Sequence, residues 1–405
     1  MKNALLTLFL FSLCLTLTGC GGGQEIESCL FVLSMAVDPA PDGNLTVTIK
    51  ALSGTQEAAE GSLSASAGGT QGGAGMPGDE SAQKGAANSG LEATEPGYIV
   101  MSATAKSCLR ALSLLSATTP RTVNLSQLRE IVISRTLAET DATLTILKEI
   151  HAMYRANGEA IVVVTPDDAG DFIRRQRAIL GIRLSKYLEV LFDHFSEMDA
   201  IPPGAQLASV IAAMQSSTGD AAVVYAAGNS FDSTLVLDGE SDLDRLPGHL
   251  PRTSPAENEY LGSALFSGSR MTGVLTGEET GLLCLMMGKA QRRTTFIGDA
   301  QYKTNLHTRV SRSLSREDGA LEVSVHMSLT RIAGDAYEPA GLIAGRIESG
   351  CISVLQKLQA ASCDAVGFGR AAIRTCPTIP DWEEKNWMKT YETLPVRARA
   401  WVKVL

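Results

Sequence analysis

Aromatic residues make up only 5% of the 405-residue sequence, and the patterns that build most enzyme centres are missing from it. The five histidines stand at 151, 194, 249, 307 and 326, with no H-x-x-x-H pair and no neighbouring cysteine, so the ligand spacing of a zinc helix is excluded. The eight cysteines include no C-x-x-C, which removes zinc knuckles and dithiol redox motifs. There is no G-x-S-x-G nucleophile elbow, no G-x-x-x-x-G-K-[ST] phosphate loop and no dinucleotide fingerprint set between a strand and a helix. Positive charge is also short, 35 Lys and Arg against 44 Asp and Glu. A chain of net charge −9 gains nothing from counterion release on a phosphate backbone, so nucleic acid is not an expected partner. Past the amino-terminal segment, no apolar run approaches the length of a spanning helix.

The amino-terminal segment itself is informative. Lys2 gives a short positive region, and Ala4 to Leu17 form an apolar stretch shorter than the roughly 20 residues that span a bilayer. That is the shape of a secretory signal, here residues 1–19. Small Thr18 and Gly19 leave the backbone open to a peptidase, and Cys20 supplies a thiol that a lipid can alkylate; Leu17-Thr18-Gly19-Cys20 is a bacterial lipobox pattern. Gly21, Gly22 and Gly23 then read as a flexible tether. The expectation is a chain held to membrane lipid through acylated Cys20. Of the other cysteines, Cys14 leaves with the signal, and Cys29, Cys108, Cys284, Cys351, Cys363 and Cys376 are expected as buried thiols, since nothing in their spacing suggests a bridge or a metal site.

The length implies two or three domains. Ser28 to Leu52 reads as a β-hairpin, with turn chemistry at Asp38-Pro39 and Asp42-Gly43. Residues 53–95 contain almost no branched apolar side chain and are expected to be a disordered Gly/Ser/Ala-rich insert. Within them Ser81-Ala82-Gln83-Lys84 matches S-x-x-K by chance, because a catalytic pair needs a rigid setting. Strands and helices then alternate: YIVMSA, a helix from Thr104 to Leu115, REIVIS, a helix from Ala138 to Tyr154, and EAIVVVT as a central strand covered on both faces. A helical stretch from Asp167 to Phe195 and a helix from Gln206 to Gln215 lead to the strand AAVVYAA. Residues 20–228 therefore read as a mixed α/β region and 229–258 as a linker. Residues 259–405 read as an α+β domain, in which a long helix from Pro339 to Ala361 packs on a mainly antiparallel sheet. The alternation of Leu321, Val323, Val325, Met327 and Leu329 marks one strand of that sheet, and Val396 to Val404 its closing strand.

Candidates for chemistry are few. His194 and His326 read as surface residues, Met286 and Met287 as core filler, and Thr276 with Glu279 as a capping box. Glu278-Glu279 and Glu383-Glu384 read as acids favouring helix dipoles. Asp232, Asp238, Asp242 and Asp244 lack calcium-loop spacing. No cofactor, metal site or catalytic residue is expected; Cys20, as the point of lipidation, is the single functional residue.

Taken in order, Cys20, QEIESCLFVLSMAVD at 24–38, the Gly-rich insert, REIVIS at 129–134, EAIVVVT, TGVLTGEETGLLCLMMGK, DAVGFGR and WMKTYETLPVRARAWVKV resemble the Ger(x)C family of spore germination lipoproteins. One departure is Gly21-Gly22, where family members commonly carry Trp-Asp. The resemblance implies a non-enzymatic C subunit of a nutrient germinant receptor, held on the outer face of the spore inner membrane beside A and B subunits. It leaves direct small-molecule binding open. A solute-binding lipoprotein of a transporter and an envelope hydrolase share the anchor; the first calls for two similar lobes, the second for a buried acid or nucleophile pair in a cleft.

Overall fold

An eleven-residue run, Cys29–Pro39, with nine of its positions fully buried, forms the strand β1 around which the first sheet is built. Such continuous burial requires cover on both faces. In the computed structural model, the described residues are 28–53, 97–153, 155–230, 244–251, 257–288, 294–297, 300–304, 308–333 and 339–405. The lipobox and the insert at 53–95, apart from Ser53, lie outside them.

Strand β1 pairs antiparallel with β2 (Leu45–Leu52), which pairs antiparallel with β3 (Tyr98–Ala105). On its other side β1 runs parallel to the short β4 (Thr122–Asn124) and to β5 (Glu130–Ser134). Strands β6 (Ile161–Thr165) and β7 (Ala222–Gly228) continue the parallel centre. Helices cover both faces. On one lie α1 (Cys108–Ala117), the short α2 (Arg135–Ala138), α3 (Thr143–His151) and, later in the chain, α6 (Leu207–Met214), sharing a core with Val162 and Val164. On the other lie α4 (Ala169–Arg175) and α5 (Leu184–Glu197), packed with Val163 and Leu33. The alternation within IVVVT thus feeds two cores, as a buried central strand must.

Two expectations about helices are revised by this geometry, and a hairpin is placed by it. The helix expected to begin at Thr104 starts at Cys108, because β3 continues to Ala105 and Ser107 accepts the Arg110 amide as N-cap. The helical stretch expected from Asp167 to Phe195 is broken: Gln176 adopts an extended conformation and turns its amide into the interior. Finally, β8 (Asn258–Ser267) and β9 (Arg270–Leu275), read from sequence as the opening of the second domain, extend the first sheet, giving the order β3-β2-β1-β5-β6-β7-β8-β9. β8 pairs antiparallel with β7 from Gly228↔Asn258 onward, so residues 229–258 connect neighbouring strands of one sheet. Burial of nearly all of β8 is the reason: a strand covered on both faces belongs inside a layered sheet.

Helix α7 (Gly277–Met286) begins with the expected capping box, Thr276 accepting from the Glu279 amide and Glu279 accepting from the Thr276 amide at 3.1 Å. A second sheet follows. Its spine is β13 (Leu321–Ala333), where the alternating apolar residues are buried and Glu322, Ser324, His326 and Ser328 face outward. Strands β10 (Thr294–Ile297), β11 (Ala300–Thr304) and β12 (Arg309–Leu314) precede it, more than the single strand read from sequence. Leu329 pairs with both Thr304 of β11 and Val404 of β14 (Val396–Val404), so these two strands flank β13 on opposite sides. β13 and β14 are parallel, joined by a crossover that contains α8 (Ala340–Ala360). Ile343, Cys351, Val354, Leu355 and Leu358 of α8 pack on the sheet's inner face, as the sequence stripe requires. Three short helices, α9 (Gly369–Ala372), α10 (Ile379–Lys385) and α11 (Trp387–Tyr391), close that core. It also contains Ala222, Leu265 and Leu275 of the first sheet, so the two units share an apolar boundary.

Candidate functional site

Cys20, the functional residue expected from sequence, lies outside the described residues. Cys29, Cys108, Cys284, Cys351 and Cys363 are buried thiols and Cys376 is half-buried. Burial pushes the Cys108 thiol up to about 12, with Glu149 adding to the effect, which makes it inert. His194 and His326 are exposed, and His326 stacks flat on Trp401 with 4.2 Å between ring centroids. Met286 is fully buried. Among the described residues, no group of three or more His, Cys, Asp or Glu side chains is placed to hold a metal ion, and no helix is long and apolar enough to cross a membrane.

Among the buried acids of the described residues, Glu130 and Asp364 are the centres of two hydrogen-bonded networks. The first sits under the break between α4 and α5. Glu130, at the start of β5, is fully buried. Ser34 Oγ of β1 lies 2.7 Å from its Oε1 and 2.9 Å from Gln176 Oε1, and Tyr260 of β8 donates to Oε2 at 3.0 Å. The Gln176 side-chain amide donates to Glu130 Oε1 and reaches the Tyr260 hydroxyl at 2.8 Å. Lys50 of β2, also fully buried, donates to the Gln176 carbonyl, and its ammonium stands 5.8 Å from the centre of the Tyr98 ring. Desolvation raises the Glu130 carboxyl above its ordinary pKa, opposed by these hydrogen bonds and by Lys50.

Each member of this set has a reason to be there. A helix that continued through Gln176 would hold its amide against its own backbone; the break frees the carbonyl for Lys50 and the side chain for Glu130. The Tyr98 hydroxyl accepts the Leu184 amide at 2.7 Å, which satisfies a first-turn donor of α5. Phe172 and Phe192 meet the Tyr260 ring edge-on at 5.6 and 5.4 Å. Outside this centre a small open cleft is lined by Arg175, Gln176, Arg177, Leu184, Tyr187, Leu188, Glu257, Asn258 and Tyr260. The carboxylate itself is enclosed by its partners, so this arrangement fixes the α4–α5 connection and offers no exposed acid for catalysis.

The second centre joins the two units. Asp364, in the DAVGFGR stretch, accepts the amides of Gly367 and Phe368 on Oδ1, both at 2.9 Å, and the Gly369 amide at 2.7 Å with the Trp387 indole at 3.0 Å on Oδ2. Burial raises its pKa to about 6 in spite of four donors. Asp220, in the loop before β7, accepts the Asp364 amide at 3.0 Å and the Gly268 amide at 3.0 Å, while its own amide donates to the Asp364 carbonyl at 3.2 Å. Gly369 has no alternative at its position, since a Cβ there would stand 2.7 Å from both the Thr218 carbonyl and the Trp387 indole nitrogen. In the sequence, an aspartate three residues ahead of Gly367-Phe368-Gly369, in reach of three consecutive amides, is the signal for the anion cradle.

Comparison with known proteins now bears on these centres. Residues 22–227, which carry all of the first but Tyr260, match the family model described as the spore germination protein N-terminal domain. Residues 261–405, which carry Asp364, match that described as spore germination B3/GerAC like, C-terminal. No curated protein matches the chain. A structure titled "Crystal Structure of the GerBC protein" aligns over 92% of this chain and 96% of its own, with 11% identity and a TM-score of 0.45. With both models matched in order over most of its length, the chain belongs to the Ger(x)C family of spore germination proteins.

Proposed function

We propose that this protein is the lipid-anchored, non-enzymatic C subunit of a spore nutrient germinant receptor, acting on the outer face of the spore inner membrane with A and B subunits. The observation that carries the reading is the ordered match to both halves of the family over residues 22–227 and 261–405. The lipobox at Leu17 to Cys20 supports attachment through an acylated Cys20, with residues 1–19 removed as a signal. The two buried acids support a scaffold role, because each is consumed in holding chain segments together. The two sheets, one with a parallel centre and helices on both faces, the other built around β13 and a single long helix, do not make the pair of similar lobes that a hinged solute-binding protein uses.

The test is genetic and chemical. Deleting the gene in its sporulating host is expected to abolish release of dipicolinate in response to single nutrients while leaving germination by a nutrient-independent trigger intact. Radiolabelled palmitate is expected to enter the wild-type chain and not a Cys20→Ala variant. An unchanged nutrient response in a strain with no paralogue would refute the receptor role, and equal labelling of both chains would refute the anchor.

A further inference from the structure

The break at Gln176 that buries one side chain also pushes others outward. Residues 177–183, between α4 and α5, form an irregular loop whose tip is Ile179, Leu180, Gly181 and Ile182. Leu180 is 69% exposed, and Ile179 and Ile182 are each 39% exposed. Gly181 adopts φ +66° with nothing within 4 Å of where a Cβ would stand, so the turn projects into open space. Three branched aliphatic side chains held outward on a projecting turn form a wedge that water solvates poorly.

The charge around this wedge differs from that of the whole molecule. From Arg174 to Lys186 the sequence carries Arg174, Arg175, Arg177, Arg183 and Lys186 and no acidic residue, in a chain of net charge −9. Arg174, Arg175 and Lys186 are paired at the base of the loop with Asp171, Asp167 and Glu189. Arg177 and Arg183 are exposed on either side of the aliphatic tip, Arg183 while also engaged in an interaction within the chain. Aliphatic residues flanked by arginines fit a surface that is negative outside and apolar beneath, which is the cross-section of an anionic bilayer.

The position of the loop agrees. Tyr98, whose hydroxyl accepts the Leu184 amide, opposes Leu52 at the end of β2, and Ala51 in turn opposes Val32 near the start of β1. The loop therefore lies at the end of the first sheet where β1 enters. Residues 20 to 28 span at most about 30 Å when fully extended, so a lipid on Cys20 would hold this end of the sheet within that reach of the membrane.

We propose that the loop 177–183 is a second membrane contact: Ile179, Leu180 and Ile182 insert below the headgroups, and Arg177 and Arg183 bind anionic lipid phosphates, fixing the orientation of the molecule on its tether. The orientation rests on the reading of Cys20 as an anchor; the chemistry of the loop does not.

The test uses the full chain on phosphatidylcholine vesicles, with and without phosphatidylglycerol, and an environment-sensitive fluorescent amino acid at position 180 or, for comparison, at exposed position 379 in the second unit. Nitroxide-labelled lipid is expected to quench the probe at 180 several-fold more than that at 379, more strongly with phosphatidylglycerol, and Arg177→Glu with Arg183→Glu is expected to remove the difference. Equal quenching at 180 and 379 in chains that float with the vesicles would overturn the loop contact and leave the anchor standing. Quenching at 180 in a Cys20→Ala chain that needs phosphatidylglycerol to float would sustain the loop without the anchor. A probe at 180 that lipid does not quench but that receptor subunits shield would assign the loop to a protein and defeat the proposal.

Discussion

Glu130 and Asp364 are both buried carboxylates raised above their ordinary range by desolvation, yet they are held in opposite ways. Around Glu130 stand a serine hydroxyl, a tyrosine hydroxyl and a glutamine amide, all of which can rotate or flip. Around Asp364 stand three successive backbone amides and one indole, which can only donate and cannot turn away. The difference teaches that a cage built of side chains tolerates a change of protonation, whereas one built of backbone demands an acceptor on both oxygens.

The largest effect expected from breaking this contrast is at Asp364. Asp364→Asn puts an NH₂ group against two fixed donors on either oxygen position, and a loss of about 3 kcal/mol or more is expected from stranded buried hydrogen bonds, read by urea unfolding followed through Trp382 and Trp387. If the variant unfolds with the wild type, the amides are satisfied otherwise and the cradle is not an anion site. Lys50→Met comes next. It leaves the Gln176 carbonyl and Glu130 without their cation, and about 2 to 4 kcal/mol is expected to be lost, with Glu130→Gln in the same chain restoring part of it.

Gly369→Ala tests packing in place of charge; a Cβ forced against backbone is expected to cost about 1 to 3 kcal/mol. The isosteric Glu130→Gln alone is expected to cost about 1 kcal/mol or less, because its neighbours can reorient. A cost equal to that of Asp364→Asn would erase the distinction between the two cages.

The smallest expected effect is on pH dependence. Since the folded pKa of Asp364 is raised to about 6 from 3.8, the folded chain keeps a proton that the unfolded chain has lost between these values. Stability contributed by this group is complete below about pH 4 and declines as pH rises to about 6. Denaturant midpoints measured from pH 4 to 7 should therefore fall less steeply in Asp364→Asn than in the wild type.

The same contrast explains what sequence could reveal. Asp364 and its three backbone donors fall within six consecutive residues, so DAVGFGR is readable as a unit, the Trp387 indole excepted. Ser34, Lys50, Glu130, Gln176 and Tyr260 come from positions up to 226 residues apart, and no local period links them. Periodicity likewise found β6, β13 and α8, whose patterns are set by burial along a single element. It carried α4 on through Arg177 and Leu180, which hold helical spacing with Ile173, before a second piece at SKYLEVLFDHF, while the force that ends the first helix at Arg175, the demand of Glu130 for an amide partner, is tertiary. It found the β8–β9 hairpin without its sheet for a related reason: a hairpin pattern fixes a strand's local partner, not the sheet that receives it. Lipidation at Cys20 is a matter of local sequence alone and rests on nothing in the fold.

The reciprocal pairing of Asp220 with Asp364 also has a mechanical meaning. Two amides and two acceptors cross between the loops, and the Thr272 hydroxyl adds a third tie to the Ala361 carbonyl at 2.6 Å. Bending at this seam must rupture several bonds together, so small displacements imposed on one half travel to the other as torque, and the pair moves as a stiff lever.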